Sequence, residues 1–300
     1  MALIQNLPSV AAMQSRPAVW SVRYLFAPFM ILVPNAVAVA IVGNGLGYFW
    51  LVPVALAALG LSYLAERIAP YEPTWNADHD DTPRDIAHGI IYEICSFNSM
   101  VILPFLTMWV PWAGVVWPSD WPLALQLVFA IVLADVGVTL IHYWSHKLPL
   151  LWRFHEIHHS SRRLYGLNGL VRHPAHQTLD LAIGFMPLVL LGLPLDIAVL
   201  LGFAITIQLL LQHSNADVRV GPFSRVLAIG PVHRLHHVKW HGEGDVNFGL
   251  FFNIWDRMLG TFTLAKQELV REGEVGVDDG AEHRTHYLDE MIRPFLRNRT

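Results

Sequence analysis

Four runs of mostly apolar residues, Tyr24–Val42, Tyr48–Leu64, Ile86–Val110 and Leu123–Ile141, approach the length at which a helix crosses a bilayer. A spanning segment has no water to satisfy its backbone, so it must be helical or part of a closed barrel. The composition agrees: 54% of residues are hydrophobic, 15% are charged, and the mean hydropathy is +0.40. A soluble bundle of buried helices is the alternative, and it sits poorly with four runs of this length. A further apolar region, Leu179–Leu211, is broken by Gly192-Leu193-Pro194. It reads as a tight pair of crossings or a re-entrant hairpin, either of which returns the chain to the side it left. The expected fold is an all-α integral membrane bundle of four or more transmembrane helices.

Charge orients the bundle. Lys147, Arg153, Arg162, Arg163 and Arg172 cluster after the fourth run, whereas the connections near residue 44 and over 111–121 carry no Lys or Arg. By the positive-inside rule the segment after residue 142 is a cytoplasmic helical cap, and Arg16 and Arg23 before the first run agree. That places the protein in a bacterial inner membrane or the endoplasmic reticulum. Residues 1–22 lack the layout of a secretory signal, residues 23–265 form one membrane-embedded catalytic domain, and residues 266–300 read as a solvated polar tail. A net charge of −4 spread over both signs indicates no nucleic-acid partner, and the one cysteine, Cys95, excludes a cysteine-ligated cluster.

The cap is dense in histidine. Twelve of the sixteen histidines lie between residues 142 and 241. His142 and His146 are spaced i, i+4; His155, His158 and His159 follow as i, i+3, i+4; His233, His236 and His237 repeat that second spacing. Each set places its rings on one face of a helix. Neutral imidazole is the commonest metal-ligating side chain, and eight in matched spacings exceed what one metal with an open position needs. Two metals with four or five nitrogens each account for the number. His79, His88, His283 and His286, outside these patterns, read as ordinary hydrogen-bonded residues. Imidazole suits Fe, Zn, Cu or Ni alike. Context favours iron: a site at the end of membrane helices meets lipid, and an unactivated C–H bond yields to an oxidant made from dioxygen rather than to a metal hydroxide. A zinc site hydrolysing a lipid ester or amide stands as the alternative, with Glu156 as the one carboxylate inside the boxes.

The ordered motifs carry a resemblance. Asp135-x6-His142-x3-His146, then Phe154-His155-Glu156-Ile157-His158-His159, then Gln212-His213-Ser214-Asn215, then His233-Arg234-Leu235-His236-His237, with a closing run from Asn247-Phe248-Gly249 to Trp255-Asp256-Arg257 and Phe262, resemble the fatty acid hydroxylase and sterol desaturase superfamily. The likeness covers residues 130–265 or so and looks nearest to the alkylglycerol monooxygenase and bacterial sterol-desaturase-like branches. It implies a membrane-embedded, non-haem diiron oxidoreductase that uses dioxygen and externally supplied electrons to hydroxylate a membrane lipid (a sterol, fatty acyl, ether or related lipid), or to desaturate it. Two iron ions are the implied cofactors, with zinc able to replace them in purified protein. The eight box histidines match the family's ligands, and His213 matches its isolated histidine between the second and third boxes, as a ninth.

Six further residues are candidates for supporting roles. Asp135, two turns before His142, is expected to hydrogen-bond a ligand histidine. Asn215 and Asp217 compete as a weak tenth ligand. His173 and His176, in a His-Pro-x-His pattern, and His241 are candidates for backing the ligands or lining substrate access. The chain has no dinucleotide fingerprint and no fused haem domain, so electrons must come from a separate carrier or reductant. Lys147, Arg153, Arg162, Arg163 and Lys239 form the expected docking surface for an acidic carrier. A reduced pterin would be the donor if the alkylglycerol branch is the true neighbour.

Overall fold

The computed structural model describes residues 16–112, 116–239, 243–264, 270–277 and 286–296. Its framework is six long helices: α1 (Arg16–Gly43), α2 (Leu51–Ile68), α3 (Thr82–Leu106), α4 (Leu123–Lys147), α6 (Pro174–Leu191) and α7 (Leu195–His213). Shorter helices complete it: α5 (Pro149–His159), α8 (Gly230–His233), α9 (Ile254–Leu259) and α10 (Tyr287–Leu296). Among the described residues β-structure is limited to isolated bridges such as Pro70 with Ala216. Among the described residues five helices are long and apolar enough to cross a membrane: α1, α2 with the turn before it, α3 with the turn after it, α4 and α7.

The ends of these helices follow from local chemistry. Gly43-Asn44-Gly45 closes α1 with Gly45 at φ 66°, its N–H donating to the Val42 carbonyl while Leu46 reaches back to Ile41. Gly192 closes α6 at φ 90°, Leu193 donates to the Leu188 carbonyl, and Pro194 stops the chain before α7. The helix that holds the first apolar run already includes Arg16, ahead of Tyr24, and runs on through Pro28 and Pro34.

The interrupted region resolves into two helices that part company. α6 and α7 each pack on α3 and α4 rather than chiefly on each other. α6 presses against α4 where Gly137 meets Gly184; a Cβ on Gly137 would lie 2.7 Å from the Ile183 carbonyl oxygen. α7 is the axle of the bundle, touching α1, α2, α3 and α4, with every residue from Leu200 to His213 buried. The outer helices instead expose large apolar side chains, among them Leu32 and Leu56 at 65% and 61%, as lipid-facing helices do.

The C-terminal stretch departs from the expected solvated tail. α10 packs on α3 and α5, and its Glu290 is only 4% exposed, held by Arg84, His88 and Ser160. These partners lie far away in sequence, and no local pattern announces them. Residues 1–15, Trp240 and His241 lie outside the described residues.

Candidate metal centre

Three helix ends and two turns converge at one end of the bundle. α4 delivers His142 and His146 on its last turns; Leu148 leaves the helix and Pro149 starts α5, so His155, His158 and His159 approach from a second direction. α7 ends at His213. The third box is not one regular helix: Pro231 opens the single turn α8, and Arg234–His237 tightens into a 3₁₀ turn that turns its rings to a different pitch. His236 parts from His233 and His237, just as His158 parts from His155 and His159 in the regular helix α5.

The nine histidines sort into two groups. His142, His146, His155, His159 and His236 offer nitrogens that all lie within 4.8 Å of one another, and His158, His213, His233 and His237 do the same. Each HxxHH box serves both groups: His155 and His159 join the first and His158 the second, whereas His233 and His237 join the second and His236 the first. The groups abut where His159 stacks on His237 at 4.6 Å between ring centroids.

Hydrogen bonds fix which nitrogen faces inward. The Nδ1–H groups of His142, His158, His213 and His236 donate to the carbonyls of Phe248, Val171, Leu209 and Val246 at 2.7, 3.1, 3.0 and 2.9 Å. Neutral imidazole has one proton, so Nε2 of each of these rings carries a bare lone pair. His213 Nε2 nevertheless lies 3.2 Å from His158 Nε2 and 3.1 Å from His237 Nε2, and His146 Nε2 lies 3.2 Å from His159 Nε2. His142 Nε2 and His236 Nε2 are buried without any hydrogen-bond partner. Burial, the leading cause, pushes His155, His158, His159, His233, His236 and His237 well below the usual imidazole range, so these rings are neutral, and between His158 and His213 both facing Nε2 atoms are unprotonated. Opposed lone pairs at such spacing fit a cation: tetrahedral ligands about 2.0–2.1 Å from a metal stand roughly 3.3 Å apart. The donor set is all imidazole, which suits iron as well as zinc.

Supporting residues differ from those expected. Asp135 bonds no histidine. Its carboxylate accepts from the amides of Leu250, Phe251 and Phe252 at 3.2, 2.8 and 3.0 Å and from Trp255 Nε1 at 2.9 Å. Asp256 clasps the same turn from the other side, through the amides of Phe248 and Gly249 at 2.7 and 2.8 Å. The two acids thereby hold the turn whose Phe248 carbonyl orients His142. The Phe248 ring, fully buried, covers His142, His146 and His236 at 5.5, 5.1 and 5.3 Å. A carboxylate backs a histidine elsewhere: His146 Nδ1 meets Asp245 Oδ1 at 3.0 Å, and Lys147 holds the other oxygen at 2.6 Å. That His146 bond, with Lys147 in support, keeps Asp245 well below the usual carboxylate range. Asp245 and Phe248 are therefore site residues that spacing did not single out. The closing run containing Phe248 and Asp256 was the available signal, whereas Asp245, a lone acid 99 residues from His146, had none.

Neither proposed tenth ligand reaches the centre. Asn215 ties α7 to the 72–76 turn, accepting from the Glu72 amide at 3.0 Å, and Asp217 pairs with Arg23 at 2.8 Å. His173 caps α6 by accepting from the Ala175 amide. His176 lies nearer: it joins Ser145 Oγ at 2.8 Å and Asp180 at 3.1 Å, and its ring meets that of His155 at 4.8 Å. Arg163 is not a docking residue, because it is buried and donates to Asp81, Thr82 and the carbonyls of Trp75 and Ala77. Glu156 is buried and ion-paired with Arg293 at 3.1 Å, which leaves it poorly placed as a general base.

Beneath the histidines, on the membrane side, lies a cavity of about 20 Å³ lined by Tyr92, Val138, Arg172, Gln177, Asp180 and Leu209. Arg172 Nη1 donates to Asp180 Oδ2 at 2.6 Å, while Arg172 Nε, Gln177 Oε1 and Asp180 Oδ1 are buried without partners.

The family described as fatty acid hydroxylase matches residues 127–261, which hold all nine histidines. The ornithine lipid hydroxylase OlsE of Rhizobium tropici is 34% identical over 256 residues, covering 83% of this chain and 76% of that protein. Alkylglycerol monooxygenases of Danio rerio and Homo sapiens are 32% and 27% identical, over 51% and 64% of this chain. The matched part is 33% and 42% of those two proteins. No solved structure shows a significant match. The chain belongs to the fatty acid hydroxylase family and is an oxidoreductase.

Proposed function

We propose that the protein hydroxylates a membrane lipid with dioxygen at a two-iron centre, with His142, His146, His155, His159 and His236 holding one ion and His158, His213, His233 and His237 the other. The observation that carries this reading is the pair of all-imidazole clusters whose lone pairs face one another beside an apolar helical bundle. Iron bound there supplies dioxygen activation and C–H oxidation. The net change is R–H plus dioxygen, two electrons and two protons giving R–OH and water. The chain's own residues prepare for it. Burial keeps the rings neutral and the carbonyls and Asp245 aim them, while Phe248 and the buried end of α7 exclude water. The unpartnered atoms of Arg172, Gln177 and Asp180 offer a place for a polar group the size of a water.

The similarity to an ornithine lipid hydroxylase supports an ornithine-containing or related amino-acid lipid as the first substrate to test. The charge pattern supports a cytoplasmic site in a bacterial inner membrane or the endoplasmic reticulum. Electrons come from a separate carrier or reductant docking near Lys147 and exposed Arg162. Residues 23–265 act as one catalytic unit, with α10 packed against it.

The test is lipid analysis of cells producing the protein under labelled dioxygen, labelled water or no air, with metal analysis of the purified protein. The expected result is a lipid gaining one oxygen derived from dioxygen, and two metal ions per chain. A product that forms without air overturns the reading, and loss of two hydrogens in place of the added oxygen marks a desaturase.

A further inference from the structure

α10 is built the wrong way round for a helix in water. Its four most exposed residues are Leu288, Ile292, Phe295 and Leu296, at 72%, 51%, 68% and 67%. Their spacing of four, three and one gathers them on one face. The charged side chains turn inward instead. Glu290 accepts from His88 Nε2 at 2.7 Å, Arg84 Nη1 at 3.2 Å and Ser160 Oγ at 3.1 Å, and Arg293 pairs with Glu156 on α5. At one end Tyr287 sits edge-on against His88 at 4.7 Å, and at the other Phe295 meets Phe154 at 5.5 Å and His173 at 6.0 Å.

The position identifies what covers this face. Arg84 and His88 lie in the first two turns of α3, one of the candidate spans, so α10 lies across the mouth of the bundle where a spanning helix starts. The four exposed residues of this face are all apolar, with half-buried Asp289 at its edge. Of the two helices it bridges, α3 and α5, the first exposes apolar residues of its own beside this contact, Ile86 and Ile90.

We infer that α10 is a membrane-surface strap: its Leu288, Ile292, Phe295 and Leu296 face lies in the bilayer, while its inner face pins α5, the helix carrying the second histidine box, to the start of α3. The strap joins lipid contact to the metal centre through two links, Arg293 with Glu156 and the Met291 carbonyl with His173 Nε2 at 3.3 Å. Such a helix seats its apolar face about 5–10 Å into the head-group and acyl boundary.

The test places a nitroxide on single cysteines in the full-length chain, with Cys95→Ser as background, reconstituted in phosphatidylcholine–phosphatidylglycerol vesicles. Collision rates are read with dioxygen, which concentrates in lipid, and with a neutral nickel chelate, which stays in water. Labels at Ile292→Cys and Phe295→Cys are expected to favour dioxygen and to report a depth of about 5–10 Å, while a label at exposed Arg162→Cys favours nickel. Leu288→Cys serves as a further site should either variant elute as aggregate. Dominant nickel collisions at the α10 sites overturn the inference, and so does shielding from both reagents, which would mean a second copy or another protein covers the face. The readout needs no turnover, so it stands apart from the reaction proposed above.

Discussion

Replacing Asp245 with alanine should loosen one metal site and spare the other. Asp245 touches a single cluster histidine, His146, whose Nε2 points into the five-histidine group. The neighbouring rings rest on backbone carbonyls that the substitution leaves in place. Removing a carboxylate behind a ligand histidine costs about 10–100-fold in metal affinity. Here the lower end applies, because the Asp245 side chain is 28% exposed and shares its charge with Lys147. The expected loss is about tenfold, or ~1.4 kcal/mol, at the first cluster. The assay is metal content per chain after equilibration against graded chelator, with circular dichroism to confirm that the helices persist. Wild-type protein and variant should part at one ion only, the variant releasing it at about tenfold lower chelator, with Asp245→Asn between them. Parallel curves, or loss of both ions together, would falsify the assignment of Asp245 to one cluster.

Gly169→Ala should do the converse, since a Cβ there would lie 2.5 Å from the Leu209 carbonyl oxygen and 3.0 Å from His213 Nδ1. Displacing that ring is expected to weaken the four-histidine cluster at a cost of about 1–3 kcal/mol, seen as selective loss of the ion that Asp245→Ala retains. Metal-free protein should lose stability in acid: the histidines of the second and third boxes have folded pKa values pushed below about 6.5 by burial. As pH falls below that value the unfolded chain takes up protons that the folded chain refuses, so stability drops, whereas above it both forms are neutral and the effect disappears. A melting temperature that stays level from pH 8 to about 5.5 would contradict this. Asp135→Ala leaves three amides and an indole N–H without their acceptor, at a cost of about 3 kcal/mol or more; a variant that melts with the wild type removes Asp135 from the role of holding the 249–252 turn.

Much of the centre was legible because its chemistry is periodic. Box spacing singled out every histidine that the two clusters gather, His213 included once its motif was matched, and hydropathy placed the middles of the long helices, although α1 reaches back to Arg16 and α4 on to Lys147. What stayed hidden depends on tertiary contact. The carbonyls of Phe248, Val171 and Val246 that orient the rings are backbone atoms, for which sequence carries no label. Asp135 sits on the histidine face of α4 as its spacing indicates, yet its partner is a turn more than a hundred residues away that offers four donors at once. Periodicity also misled at the third box, whose i, i+3, i+4 pattern is met by a single helical turn tightening into a 3₁₀ turn after Pro231. The polar tail concealed α10 for a similar reason: Glu290 looks solvated until Arg84 and His88, about two hundred residues earlier, are seen to enclose it.

The burial of α7 bears on how the enzyme meets membranes of different thickness. Hydrophobic mismatch is absorbed by helices that touch lipid, through tilt or local bilayer deformation. α1, α2 and α3 expose broad apolar faces and can take up such adjustments, whereas α7 is shielded by protein along nearly its whole length. A bilayer a few ångströms thinner or thicker would therefore tilt the outer helices around a fixed axle, leaving His213 in register with the histidines it faces.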